Sequence, residues 1–90
     1  TLQKGKGFKI ERIVSLGQAT PKGEWLCSKA AEWVIVLRGR AHLRFKGVRK
    51  NLDLKAGDHV FIPANTGHRV DRTDPGQETV WLAVHIARGR

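Results

Sequence analysis

The chain has 90 residues, 40% of them hydrophobic, and a formal net charge of +9 from 17 Lys and Arg against 8 Asp and Glu. That length allows one small domain, residues 1–90, and that hydrophobic content excludes a disordered chain. No apolar run approaches the roughly 18 residues of a membrane-crossing helix, and none has the apolar core and cleavage site of a signal peptide, so no membrane partner is expected.

Residues 1–7 are polar, with Gly5 and Gly7, and read as a frayed, flexible end. Phe8 to Val14 reads as a strand that alternates over its first half. Gly17 to Gly23, containing Pro21, is loop material, and Glu24 to Cys27 a short strand. Glu32 to Arg38 is rich in Val and Ile and apolar on both faces, Trp33, Ile35 and Leu37 against Val34 and Val36, which predicts a strand inside a sandwich or barrel.

Beyond Gly39, Ala41, Leu43 and Phe45 alternate with His42, Arg44 and Lys46, so His42 is expected outward. Lys50 to Leu54 is a weaker strand. His59 to Ile62 alternates again and stops at Pro63, which cannot donate to a ladder. Gly67 to Thr73 is a strand, Asp74-Pro75-Gly76 a turn, and Glu78 to Ala87 a long final strand. On that last strand Val80, Leu82, Val84 and Ile86 share one face, and Trp81, Ala83 and His85 the other. Eight or nine short strands and no helix of ordinary length predict an all-β antiparallel sandwich or barrel.

Two segments of this chain fit together. Glu32 and Gly39 form Glu-x6-Gly; after a spacer of seventeen residues Gly57, Asp58, Pro63 and His68 form Gly-Asp-x4-Pro-x4-His. This order resembles the cupin superfamily, its small single-domain type, over roughly residues 8 to 87. The stretch from Gly17 to His85 is also similar to a subgroup of small bacterial cupins of largely unassigned function. The resemblance implies a conical β-barrel of the double-stranded β-helix type with a site inside it. It also implies metal ligands, of which this chain keeps Glu32 and His68. The family's His-x-His positions hold Leu26 and Ser28, or Trp25 and Cys27, and the glycine two after the proline is Asn65.

Zn, Fe or Mn needs three or four ligands of matched softness. Glu32 and His68 supply two, and the Cys27 thiolate would be a third and favour zinc. A weak or atypical metal site, or no tightly bound metal, is therefore expected. Glu32 and His68 are also the catalytic candidates, as a general base with its orienting group; as a purely structural pair, an inward His68 would hydrogen-bond Glu32. His85 and His59 are not assigned to the site. Arg38, Arg69 and Arg72 near the mouth are candidates for holding a carboxylate or phosphate in a two-point contact. Trp25, Trp33 and Trp81 suit core or dimer contacts, and Trp25 is also kept as a ligand contact.

The expected function is binding of a small, anionic ligand in the barrel. A metal-dependent dioxygenase or isomerase is the alternative, as many cupins perform. A polyanion or nucleic-acid binder is suggested by charge alone, and the basic residues are too dispersed to make nucleic acid a favoured partner. The lone Cys27 points to a reducing compartment, most simply the cytoplasm. A chain this small leaves apolar surface to cover, so a homodimer is expected.

Overall fold

A computed structural model describes residues 3–5 and 7–87. Eight strands run in chain order: β1 Gln3–Gly5, β2 Phe8–Ser15, β3 Ala31–Arg38, β4 Arg40–Phe45, β5 Leu52–Lys55, β6 His59–Ile62, β7 His68–Thr73 and β8 Thr79–Ile86. They form a five-stranded sheet in the order β1-β2-β8-β3-β6 and a three-stranded sheet β5-β4-β7, with every pairing antiparallel. No helix among the described residues is long and apolar enough to cross a membrane. The all-β class read from the turn spacing is the fold observed.

The sheets pack face to face. Val34 and Val36 of β3, with Trp81 and Ala83 of β8, meet Ala41 and Leu43 of β4 and Leu54 of β5 in one apolar core. Val36 and Ala83 are fully buried. The β4 alternation is as the sequence predicts, and half-buried His42 faces outward, 3.5 Å from Asp53. Gly39 makes the turn from one sheet to the other at φ 87°. A Cβ there would lie 2.6 Å from the Glu78 carbonyl oxygen, so only glycine fits. Gly57 and Asp58 dock on β3, Gly57 N donating to Val36 O and Val36 N to Asp58 O. The Asp58 carboxylate accepts from Lys55 N at 2.9 Å, which is turn chemistry.

Three expectations change. Gln3–Gly5, inside the end read as frayed, is a strand paired with β2. Its pairing with β2 supplies the order that its polar sequence does not suggest; residues 1, 2 and 6 of that end lie outside the described residues. The strand expected at Glu24–Cys27 reduces to a single bridge, Leu26 with His68. Finally, β3 is covered on one face only. Val34 and Val36 enter the core, whereas Trp33, Ile35 and Leu37 lie on the outer face, where among the described residues no second layer packs.

Residues 16–30 form a strap along the free edge of β7. Leu26 N donates to His68 O and His68 N to Leu26 O, Thr20 N reaches Val70 O, and Asn65 N reaches Ser28 O. Thr73 Oγ1 donates to Gln18 O at 2.6 Å. The strap covers an edge that would otherwise offer unpaired backbone groups to another strand, and it walls one side of the space between the sheets.

Candidate functional site

Glu32 and His68 come together. Glu32 lies on the inner face of β3, level with Ile62 of β6 and His85 of β8. His68 opens β7 and is 6% exposed. Its Nε2 stands 3.7 Å from Glu32 Oε1. Both line a cavity of about 310 Å3 between the sheets, walled by Ile13, Leu26, Val34, Leu43, Val70 and Trp81, with Ser15, Gln18, Ala19 and Thr20 toward β2 and the strap.

The pair is part of a longer row. His85 Nδ1 lies 3.6 Å from the other Glu32 oxygen, and His85 Nε2 is 2.8 Å from Glu11 Oε1. Lys9 Nζ lies 3.8 Å beyond, against the same Glu11 oxygen. His85 and Glu11 thus adjoin the site, with His85 lining a neighbouring depression rather than the cavity itself, and sequence reasoning left both out. The inward face shared by His85, Ala83 and Trp81 was a signal. What was missing was the register that sets His85 beside Glu32.

The tautomers follow from the partners. His68 Nδ1 is 3.0 Å from Thr66 O; a carbonyl only accepts, so Nδ1 carries the hydrogen. Likewise His85 Nε2 donates to the Glu11 carboxylate. His68 Nε2 and His85 Nδ1 are the nitrogens turned toward Glu32.

The other candidates lie elsewhere. None of Arg38, Arg69, Arg72, Trp25 and Cys27 lines the cavity. Arg69 holds the strap: Nε donates to Asp71 Oδ1 at 2.6 Å, and its terminal nitrogens donate to the carbonyls of Thr20, Pro21 and Glu24. Trp25 meets two cations, its ring 5.3 Å from the Arg44 guanidinium and 5.8 Å from that of Arg69. Arg38 is exposed at the end of β3. Arg72 lines a separate outer depression with Arg40, His42 and Asp74. There Arg40 grips Asp53 through two hydrogen bonds and holds its carboxyl below the usual range. Cys27 is free and exposed. Among the described residues, no three His, Cys, Asp or Glu side chains are arranged to hold a metal ion. Of the metal ligands that the resemblance implies, Glu32 and His68 stand together, with His85 next to Glu32.

Known proteins resemble this barrel closely. The cupin-domain family profile matches residues 13–85, and the chain belongs to the cupin family. A Ralstonia eutropha JMP134 protein, provisionally named a mannose-6-phosphate isomerase, is 46% identical with a TM-score of 0.93, over 97% of this chain and 81% of that one. An RmlC-like cupin of Methanocaldococcus jannaschii with a double-stranded β-helix fold is 18% identical at TM-score 0.76, over 94% and 74%. The DMSP lyase DddQ of Ruegeria pomeroyi DSS-3 is 21% identical at TM-score 0.77, over 92% of this chain and 40% of the lyase. The last two show shared fold alone. Among curated proteins nothing matches the sequence.

Proposed function

We propose that this cupin binds a small molecule in the lumen between its sheets, with Glu32 and His68 as the polar contact. The cavity carries this reading. At about 310 Å3 it sits at the lower end of the roughly 300–1,000 Å3 range of ligand pockets. It is mostly apolar, with its ionisable groups gathered at one end, the pattern of a site that orients a ligand by a few polar contacts. The anionic ligand expected from Arg38, Arg69 and Arg72 loses its support, since none of the three lines the space.

Titration of a small-molecule fragment set, followed by 1H–15N NMR, tests the reading. Fragments should shift the amides of Val34, His68, Val70 and Trp81, and His68→Ala should weaken their binding about tenfold, the scale of one lost hydrogen bond in a dry site. A broad set that leaves those amides unmoved would refute it.

An isomerase is the second reading, favoured by the name of the Ralstonia protein. His68 Nε2 beside Glu32 has the geometry of a base for moving a proton next to a carbonyl. A sugar phosphate suits this lumen poorly, because no lysine or arginine lines it to take the phosphate. The polyanion reading is weaker still. On the outer face of the three-stranded sheet Arg40, Arg44 and Arg69 are paired with Asp53 or Asp71.

A second copy of this chain is the partner we propose for the outer face of the five-stranded sheet. Phe8, Val14, Phe61 and Ile86 are each more than a third exposed there, and half-buried Trp33 and Leu82 complete an apolar surface interrupted by Arg12 and His59. Four strands of this length give a footprint of roughly 500 Å2. Side-chain relief and flanking loops raise that toward the ~800 Å2 per partner of a standard interface. A reducing compartment remains the proposed location, consistent with an exposed, unpaired Cys27.

A further inference from the structure

The open end of the lumen is hydrocarbon. Val34, Leu43 and Trp81 are buried and lie deep in it, with the Glu32–His68 pair. Ile13 and Leu26 line the same space yet are 40% and 46% exposed, so the opening lies between them. The strap leaves β2 at Leu16, which is more than half exposed, and returns along β7 to Leu26. The mouth is therefore a wedge, with β2 on one side and the strap on the other. The polar groups of the strap are spent on holding it in place. Thr20 N donates to Val70 O, and Thr20 Oγ1 accepts from Val70 N. Thr20 O accepts from Arg69, Gln18 O from Thr73 Oγ1, and Gln18 Oε1 from Leu16 N.

Among the described residues, no ionisable side chain lines the space apart from the Glu32–His68 pair. A polyol there would leave most of its hydroxyls dry and unpaired, which is costly. A hydrocarbon chain has none to leave, and each methylene that it withdraws from water adds to binding. We infer that the ligand is an amphiphile: one polar head at Glu32 and His68, and an extended apolar chain that runs over Trp81 and leaves between Ile13 and Leu26. The inference rests on the lumen being the binding site. It makes Ile13 and Leu26 the residues that select for a long chain, while the polar pair selects the head.

A ladder of n-butanol, n-hexanol, n-octanol and n-decanol, with D-mannose beside it, decides it, titrated against the full chain by calorimetry and 1H–15N NMR. A hydroxyl both donates and accepts, so it suits Glu32 and His68 in either protonation state. Affinity should rise about two- to fourfold per methylene and still be rising at decanol, the lower figure applying where one side of the chain stays wet. The shifts should centre on Val34, Val70 and Trp81 and spread to Ile13 and Leu26 as the chain lengthens, and mannose should give none. Leu26→Ser, a change at a half-exposed position, should weaken decanol about fivefold and butanol less than about twofold. The ladder on the unmodified protein stands even if that variant folds poorly.

Affinity that peaks at butanol or hexanol would overturn the inference while leaving the binding site intact, since the lumen would then be a compact, closed pocket. Mannose bound in the lumen as tightly as octanol would do the same, as would alcohols that fail where other fragments bind. Equal losses of butanol and decanol in a folded Leu26→Ser would also overturn it, because Leu26 would then support the lumen and not the chain. So would shifts confined to Trp33 and Phe61, which would put the alcohols on the outer face. Failure of every alcohol together with the fragment set would remove the lumen as a site altogether.

Discussion

Asn65 shows how one residue can satisfy a backbone demand written for another. It stands where the resembled motif places glycine, and it takes φ 59°, the left-handed region. Asparagine tolerates that region better than other side chains, so the turn after Pro63 survives the exchange. Asn65→Gly should leave stability within about 0.5 kcal/mol, and Asn65→Val should cost about 1–2 kcal/mol in urea unfolding. At the same scale, Glu32 and His68 were legible as a pair because motif spacing fixes which inward positions carry them. Glu11 and His85 were not. Their partnership depends on β2 and β3 flanking β8 in one particular register, and no short spacing records that.

At the level of elements, the strap is held largely by one side chain. Arg69 joins β7 to three strap carbonyls, those of Thr20, Pro21 and Glu24, and to Asp71. Read along the sequence, Arg69 is a mouth residue free to bind an anion; in the fold its donors are already committed. Arg69→Ala should lower stability by about 2–4 kcal/mol, because Asp71 and several carbonyls lose a charged donor. Hydrogen exchange should accelerate selectively at the Thr20 and Leu26 amides. Arg69→Lys should not restore protection, since one ammonium cannot reach all four acceptors. Uniform acceleration across β4 and β8 would show instead that the arginine supports the whole fold. The short β1 belongs to this scale too. Its residues carry no strand pattern, and the backbone of β2 supplies the order.

Across the whole molecule, the two sheets present opposite outer surfaces. The three-stranded sheet turns charge outward, with Arg40, His42 and Arg44 alternating along β4. Its partner turns out Phe8, Trp33, Phe61 and Ile86. A monomer rarely leaves so broad an apolar face to water, and among the described residues no further layer lies on it. Light scattering at micromolar concentration should therefore give twice the 10.1 kDa chain mass. Phe61→Lys and Val14→Lys, which place charge on that face without touching the core, should return it to one chain. A single-chain mass for the unmodified protein would end the dimer proposal.

Periodicity and turn chemistry in the sequence alone determined the β class, most strand positions and the inward alternation of β4, and the resemblance to the cupin motifs supplied the Glu32–His68 pair. All of these depend on interactions within a few residues, or on a spacing that a given barrel preserves. Which apolar face of β3 is buried, which arginines remain free, and how two histidines and two carboxylates line up were decided only when distant strands met. Those outcomes depend on register and on neighbouring layers, and a pattern of period two is the same for a covered face and an open one.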